Sequence, residues 1–377
     1  CYIAPLKIYK YFSLLARDPA NDKNLGNTCN KVGNPCNPAT GNKYQSEQDY
    51  AGSVLPFTRH YNSQLHMNVG LGFGWTSNYH KRIEKYSDKT IRVRQGDGRA
   101  EPFRSVGGVW LGDTSSAMTL QVNTDGYVVR NAGGSVDVYN GKGHILSEID
   151  LVGRKTTYAY DGVTGLLTNV TDHFGRAVSF TYNAQGWMES FTDPVLQRAQ
   201  YEYDSIGNLA SVTYPGGTVR RYHYEDTTWT HNLTGITDEN GNRFATWSYT
   251  GNKAKTSERA GGAEKVTLTY GTTTTSVLDS LGTTSIYTFQ NILGVAKNTK
   301  ISQPCGNCGN VAARTYDTNG NVSSSTDFKG NLTTYVYDLT RNLETSRTEA
   351  SGTTLARTIT TQWHPTLRLP SKITEPG

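Results

Sequence analysis

The 377-residue sequence predicts an all-β protein built from one repeated β-hairpin. The first observation is a set of tyrosines that recur about every 21 residues from residue 156 onward, which is the mark of a repeat architecture. The second is the aspartate and glycine beside many of these tyrosines, a pattern typical of turns. The third is composition: only 35% of residues are hydrophobic, and Thr, Tyr, Gly and Asn are frequent, which favours short strands and turns over helices.

Residues 1–31 show no period and contain polar stretches rich in turn formers. We predict a tail or a lead-in strand there. The chain begins with Cys1 rather than methionine, which indicates a processed chain or a fragment, and a lipidated N-terminal cysteine is the alternative.

Residues 32–155 read as strands with little repetition. Alternation of polar and apolar residues over 90–94 predicts one strand, and 127–130 predicts another. We treat this region as a β domain that precedes the repeats.

Residues 156–377 carry the repeat. In one well-formed unit, Tyr201 and Tyr203 lie on one face of a strand, because side chains alternate along a strand. Asp204 opens a turn, Gly207 supplies a positive φ, and Leu209 starts the return strand. Two strands and two turns account for about 21 residues, so one repeat is one hairpin and the region holds about nine.

The pattern defines two sets of residues that hold the strip together. Stacked hairpins would share one continuous sheet, in which the aromatic residues form ladders of cross-strand pairs. The predicted ladder comprises Tyr160, Tyr182, Tyr203, Tyr224, Tyr249, Tyr270, Phe289, Tyr316 and Tyr337. The predicted turn residues are Asp161, Asp172, Gly175, Asp204, Gly207, Asp238, Gly241, Asp279, Gly282, Asp317, Gly320, Asp327, Gly330 and Asp338. Between about 250 and 312 the register is irregular, which predicts an insertion or a degenerate repeat.

Four of the five cysteines form two pairs that are close in sequence. We predict two local disulfides, Cys29 with Cys36 and Cys305 with Cys308, as in secreted proteins. The segment 304–309 also resembles a zinc knuckle, but Cys29 and Cys36 are too far apart to form the second knuckle that a four-cysteine site needs.

The sequence favours no catalytic chemistry. The eight histidines show no metal-ligand spacing, and no G-x-S-x-G elbow or phosphate-binding loop is present. We therefore predict no enzyme activity, no cofactor and no metal, with calcium at the aspartate turns as the alternative. The net charge is +5, but the basic residues are scattered, so no nucleic acid is expected as a partner. No apolar run is long enough for a transmembrane segment.

The Tyr-Asp units resemble those of the bacterial RHS/YD-repeat proteins, with 158–175 as the best match. A second resemblance lies upstream, over 37–43, 55–63 and 70–75, where the sequence is similar to the segment that opens the repeats in this family. The resemblance implies a β-strip that spirals into a hollow shell around a cargo. In the family the cargo is commonly a toxic domain released by an aspartyl-type autoprotease near the end of the repeats, and nothing here resembles that protease.

The segment 373–377 reads as the second turn of a further repeat, so we expect an open strip with exposed edges. The predicted function is a secreted structural scaffold, part of a β-shell or an extracellular assembly such as a filament. The alternatives are a surface adhesin or glycan-binding module, whose exposed tyrosines would stack on sugars, and the shell piece of a toxin. Expected partners are other copies of the chain through sheet edges, a downstream cargo or toxin domain, or cell-surface glycans. The expected location is extracellular or the bacterial cell surface.

Overall fold

The computed structural model describes residues 19–27, 31–304 and 311–376 and consists almost entirely of antiparallel β-sheet. The all-β prediction is confirmed. The described strands form three sheets of three, four and 24 strands, and two short 3-10 turns lie at Pro19–Asn24 and Ala260–Gly262.

The strands are numbered in chain order. The three-stranded sheet contains β1 Tyr44–Tyr50, β2 Phe57–Asn62 and β3 Trp75–Ser77. The four-stranded sheet contains β4 Arg82–Ser87, β5 Thr90–Arg94, β6 Ala100–Val106 and β7 Val109–Leu111. The long sheet contains β8 Thr119–Asn123, β9 Gly126–Arg130, β10 Val136–Asn140, β11 Ile145–Ile149, β12 Lys155–Tyr160, β13 Leu167–Thr171, β14 Ala177–Tyr182, β15 Met188–Thr192, β16 Arg198–Tyr203, β17 Leu209–Thr213, β18 Val219–His223, β19 Gly235–Thr237, β20 Arg243–Thr250, β21 Lys253–Arg259, β22 Val266–Tyr270, β23 Thr274–Leu278, β24 Thr284–Ile292, β25 Val295–Ile301, β26 Val311–Tyr316, β27 Val322–Asp327, β28 Leu332–Asp338, β29 Leu343–Glu349, β30 Arg357–Trp363 and β31 Pro370–Thr374.

The long sheet is a strip in which each strand pairs with its neighbours in sequence. The ladders run without a break from β8–β9 to β30–β31, and among the described residues no ladder joins β31 back to β8. The sheet is therefore open, with β8 and β31 as its edges. It begins at Thr119, upstream of residue 156 where the sequence period becomes visible.

Most units of the strip are hairpins with a bulge at an aromatic residue. In β16 and β17, Tyr201 pairs with Val212, and the register then shifts so that Tyr203 pairs with Leu209. The same shift places an aromatic residue at the bulge of other hairpins: Tyr139, Tyr160, Tyr182, Tyr249, Phe289, Tyr316, Tyr337 and Trp363. A bulge adds local twist, so a repeated bulge coils the strip in a repeated way.

The turns follow from the aspartates. One carboxylate oxygen of Asp204 accepts the backbone N–H groups of Ile206 and Asn208, at 3.0 and 2.9 Å, while Gly207 has φ +86°. The same two acceptances occur at Asp172, Asp238, Asp279, Asp317 and Asp327, whose turns place Gly175, Gly241, Gly282, Gly320 and Gly330 at positive φ. The turns at Asp161 and Asp338 are one residue longer, with Gly165 and Asn342 at positive φ.

The irregular stretch between about 250 and 312 keeps the hairpin order as far as it is described. Strands β20 to β25 follow one another there as antiparallel neighbours. The irregular sequence reflects changed turns: β20 and β21 are joined by only two residues, and so are β24 and β25. No inserted domain lies within the described part of this stretch.

One face of the long sheet is buried and the other is exposed. In β16, Ala199 and Tyr201 are buried, whereas Arg198, Gln200 and Glu202 are exposed. The buried face packs against residues 31–81, here called the enclosed segment, and this contact forms the main core. Burial fades after β25, and in β26 to β31 only Leu343 and Ile359 are buried apolar residues.

Residues 19–27, part of the predicted tail, are packed rather than free where they are described. Asp22, Lys23 and Asn24 are buried, and Asp22 accepts hydrogen bonds from Arg92 and Arg94 of β5, each at 2.9 Å.

Candidate functional site: the inner face of the long sheet

Strand β2 runs across the strands of the long sheet instead of along them. Its alternate residues Phe57, Arg59 and Tyr61 are wholly buried and meet successive hairpins. Their partners are Phe180 and Phe191 for Phe57, Tyr201 and Tyr222 for Arg59, and His231 and Leu233 for Tyr61. Each step of two residues along β2 therefore crosses about two strands of the sheet.

The enclosed segment reaches many strands at once. Lys81 lies 2.9 Å from Glu148 of β11, and Tyr79 packs on Tyr158 of β12. At the other end, the carbonyl of Pro38 accepts a hydrogen bond from Thr275 of β23 at 2.6 Å. The sheet also returns on itself, because the side chain of Asn342, after β28, donates to the carbonyl of Thr114, just before β8, at 2.7 Å. The sheet is therefore curled around this segment.

A buried ion pair lies at the centre of the contact. Asp49 accepts two hydrogen bonds from Arg59, at 2.5 and 2.8 Å, and two more from the hydroxyls of Tyr201 and Tyr214, at 2.7 and 3.2 Å. Arg59 also donates to the hydroxyl of Tyr222 at 2.8 Å. The two charges come from the enclosed segment, and the three tyrosines come from the sheet, so the pair joins the two parts.

The electrostatics favour the charged form of Arg59. Burial by itself disfavours a charged guanidinium, but Asp49 and the neighbouring tyrosines raise the pKa of Arg59 well above its usual value. The cation also faces the rings of Trp75, Tyr201 and Tyr222, at 4.8 to 5.6 Å from the ring centres. Burial raises the pKa of Tyr201 and Tyr222, so both remain neutral hydrogen-bonding phenols.

A buried lysine anchors the start of the enclosed segment. The ammonium of Lys43 is 4.0 Å from the ring centre of Trp247 and donates to the carbonyls of Asn34 and Tyr44. Burial lowers the pKa of Lys43 to about 7. The indole of Trp247 in turn donates to the Asn34 carbonyl at 3.1 Å.

Cys36 lies beside this lysine and is wholly buried, and burial raises the pKa of its thiol to about 11. Its predicted partner Cys29, and the pair Cys305 and Cys308, fall outside the described residues. The two disulfides therefore stay predictions.

Several aromatic residues of the repeat, most of them at bulges, bond to the preceding hairpin through their polar atoms. The hydroxyl of Tyr249 donates to the Leu233 carbonyl at 2.7 Å. The same kind of bond joins Tyr182 to Leu167, Tyr270 to Ala254, Tyr316 to Asn298 and, through the indole N–H, Trp363 to Glu344. From Tyr160 to Phe289, no ring contact between successive members is recorded among the described residues. Four of the nine predicted ladder residues thus hold the preceding hairpin through hydroxyl-to-carbonyl bonds, because the rings are two strands apart.

Where the enclosed segment crosses the ladder, the aromatic residues form hydrogen bonds with this segment instead of with the preceding hairpin. The hydroxyl of Tyr203 donates to the carbonyl of Gly70 at 3.1 Å, and the indole of Trp75 donates to the hydroxyl of Tyr224 at 2.9 Å. The backbone N–H of Met188 in β15 also donates to the Gly70 carbonyl at 2.6 Å. The Gly-rich sequence 70–74 thus lets its backbone approach the ladder closely.

Two members of the aromatic set are absent from the sequence prediction. Tyr139 and Trp363 occupy the bulge position of their hairpins. Tyr139 is followed by asparagine rather than aspartate, and Trp363 replaces the tyrosine. The distance of 21 residues from Tyr139 to Tyr160 was the signal that could have identified the first.

The placement of the tyrosines bears on sugar binding. Tyr158, Tyr201, Tyr222 and Tyr287 are buried on the inner face. These rings are therefore not exposed for stacking on a sugar, which was the premise of the glycan-binding alternative.

The aspartates at the turns do not converge. Across residues 19–27, 31–304 and 311–376, no group of three or more His, Cys, Asp or Glu side chains could hold a metal ion. Within the same residues, no helix is long and apolar enough to span a membrane.

Comparisons with known proteins agree with the repeat. The model of the RHS repeat matches residues 163–195, 203–243 and 316–354, and a domain of unknown function, DUF6531, matches residues 33–103. No curated protein matches the chain.

Among solved structures, the chain is similar to a TcdB2-TccC3-Cdc42 crystal structure, with 11% identity and a TM-score of 0.43 over 88% of this chain. It is also similar to a Photorhabdus luminescens Tc holotoxin pore, with 9% identity and a TM-score of 0.43 over 89% of this chain. The chain spans 22% of each of those chains. The hairpin repeat, its Tyr-Asp turns and the three matched segments show that this chain carries RHS/YD repeats.

Proposed function

We propose that the chain is a non-catalytic structural scaffold, a section of β-shell whose sheet wraps its own N-terminal segment. The observation that carries this proposal is the crossing of the enclosed segment over the inner face, with Asp49 and Arg59 bonded to three strands of the sheet or their turns. Wholly buried contacts of this kind support a fixed wall more than a surface that opens and closes.

The inner face of the last strands is not covered by the enclosed segment and is available to a partner. In β28 and β29 the inward-facing Tyr335, Tyr337, Arg347 and Glu349 are only half-buried. We propose that a downstream cargo or toxin domain occupies this part of the shell. We also propose that the chain acts outside the bacterial cell or at its surface, which the family resemblance supports.

Cryo-electron microscopy of the purified chain tests the scaffold. We expect a curled sheet that holds residues 31–81 against β11 to β23 and leaves the inner face of β26 to β31 uncovered. A particle in which the N-terminal segment is released from the sheet would contradict the proposal.

Mass spectrometry of the intact chain tests the absence of catalysis. We expect one unchanged mass during prolonged incubation from acidic to alkaline pH. A pair of fragments whose masses sum to that of the chain would indicate self-cleavage and favour the toxin-carrier alternative.

The edge strand β31 supports self-association as well. Its five residues are exposed, and an unpaired edge is a template for another strand. We expect light scattering to show assemblies that grow with concentration and that Ile373→Lys weakens. A monodisperse monomer at all concentrations would contradict this part of the proposal.

A further inference from the structure

Three consecutive turns along one rim of the long sheet carry large exposed apolar side chains. The turns 150–153, 172–175 and 193–196 follow β11, β13 and β15, so they lie on the same rim, about 10 Å apart. Their apolar residues, here called the rim patch, are Leu151, Val152, Phe174, Val195 and Leu196, which are 55%, 76%, 72%, 70% and 84% exposed. Together they expose several hundred Å², roughly the size of the largest patch on a typical monomer.

The patch is bounded along the rim. The preceding turn, 131–134, contains alanine and two glycines, and the following turn, 214–217, contains proline and two glycines. The turn geometry is shared by all five, so it does not require apolar residues at the tips.

Leu196 shows that the patch is not a by-product of the fold. Its φ is +65°, at the turn position that Gly153 and Gly175 occupy in the two neighbouring turns. A leucine is strained in this conformation. Because its side chain is almost fully exposed, no burial within the chain compensates for the strain.

The charge exposed beside the patch is mostly positive, since the side chain of Asp150 is the one partly exposed carboxylate of the three turns. The aspartates of these turns, Asp150, Asp172 and Asp193, direct a carboxylate oxygen to backbone N–H groups of their own turns. Asp172 and Asp193 are buried as a result. The cations that follow the turns are exposed: Arg154, Lys155, Arg176 and Arg198. Arg154 and Arg176 also contact Asp150 and Asp172, at 2.6 and 2.8 Å, but their outer faces remain in solvent.

We propose that the rim patch docks the strip on an anionic lipid surface. Three protruding tips in a row suit a flat target, with the apolar side chains entering the headgroup region and the arginines meeting lipid phosphates. Pairing of two copies through this rim would instead bring the arginines of both copies together, and their like charges would repel. This inference is independent of the cargo proposed above.

Vesicle sedimentation tests the proposal with the intact chain. The probes are vesicles of phosphatidylcholine alone and of phosphatidylcholine mixed with phosphatidylglycerol. We expect binding to the anionic vesicles only, weakening as salt is added. The variant Phe174→Ser, Val195→Ser, Leu196→Gly should bind at least about tenfold more weakly, because most of the inserted apolar surface is removed.

The chain offers a matched control. Leu281 is 88% exposed in the turn 279–282, and the preceding turn on its rim, 259–263, has no large apolar residue. Leu281→Ser should leave vesicle binding unchanged. The triple variant should melt no lower than the wild type, because Leu196→Gly restores the residue that the backbone favours.

Three results would overturn the proposal. The wild type could fail to bind anionic vesicles at low salt, or the triple variant could bind them as well as the wild type. The triple variant could also lose self-association or binding to another protein while the wild type ignores lipid, which would make the rim patch a protein interface.

Discussion

At the scale of single residues, the contact between the enclosed segment and the sheet depends on a buried charge. Arg59 and Asp49 are removed from water together, and the hydroxyls of Tyr201, Tyr214 and Tyr222 add three hydrogen bonds to the pair. Among the described residues, Nη1 of Arg59 is buried without a hydrogen-bond partner. Such a pair adds little stability compared with an apolar pair of the same shape, but removing one partner leaves the other charge buried and alone.

We expect Arg59→Met to reduce the free energy of unfolding by about 3–5 kcal/mol, because Asp49 would remain buried without its cation. Urea denaturation followed by tryptophan fluorescence measures the loss. Arg357→Met is the matched control, since Arg357 pairs with Glu349 at the surface and should cost below about 1 kcal/mol.

A double variant separates the charge from the packing. Asp49→Leu combined with Arg59→Met should be more stable than Arg59→Met alone, because no charge is then left unpaired. Equal stability of the two variants would show that the ion pair is not what the single change disrupts.

Two histidines should make the fold sensitive to acid. Burial lowers the pKa of His60 to about 4 and that of His80 to about 3, from 6.5. The unfolded chain therefore takes up protons near pH 6.5 that the folded chain does not, so stability falls as the pH falls from 6.5 to 4. The raised pKa values of Glu47 and Glu101 act in the opposite direction and soften the loss.

The variant His60→Gln, His80→Gln isolates this effect. Its melting temperature, measured by differential scanning fluorimetry, should fall less steeply between pH 6.5 and 4 than that of the wild type. Parallel curves for the two proteins would refute the assignment to these histidines.

At the scale of the element, each hairpin is determined by residues that are close to one another in the sequence. The aspartate accepts N–H groups two and four residues ahead, and the glycine between them supplies the positive φ, so four or five residues suffice to form the turn. The sequence therefore predicted the repeated hairpins. It missed Tyr139, which is followed by asparagine instead of aspartate, and Trp363, which has an indole in place of the phenol. Both residues still lie at the bulge of their hairpins.

The sequence pattern did not predict the hydrogen bonds that join successive hairpins. Tyrosines two strands apart cannot stack directly, and their hydroxyls reach the backbone of the preceding hairpin instead. We expect Tyr249→Phe to lower the free energy of unfolding by about 1 kcal/mol, the usual worth of such a bond.

Chemical denaturation measures this loss. Tyr127→Phe is the control, because Tyr127 is also a buried tyrosine and no hydrogen bond to its hydroxyl is recorded among the described residues. A loss at Tyr127 as large as that at Tyr249 would show that the hydroxyl-to-carbonyl bond is not responsible.

At the scale of the whole molecule, the two ends of the strip differ in how well they are covered. Hairpins in a strip gain stability from their neighbours and from whatever packs on their inner face. That face is covered up to β25 and largely uncovered from β26 onward.

We expect hydrogen exchange to report this difference. Amides of β27 to β30 should exchange at least about tenfold faster than those of β14 to β17, because uncovered hairpins open locally at lower cost. Mass spectrometry of peptides from one sample provides both values, so β14 to β17 serve as the internal reference. Uniform protection along the strip would contradict the view that the enclosed segment stabilises the sheet.

The sequence by itself determined the all-β class, the hairpin and its turns, because each depends on residues within about 20 positions of one another. Only the tertiary structure decided that 31–81 lies inside the curl of the sheet and that Arg59 meets Tyr222, 163 positions away. The physical reason is that local turn chemistry repeats and is legible as a period, whereas burial of a charge depends on which distant strands surround it. The repeated tyrosines therefore predict a β-strip, whereas only the tertiary structure shows which segment the strip encloses.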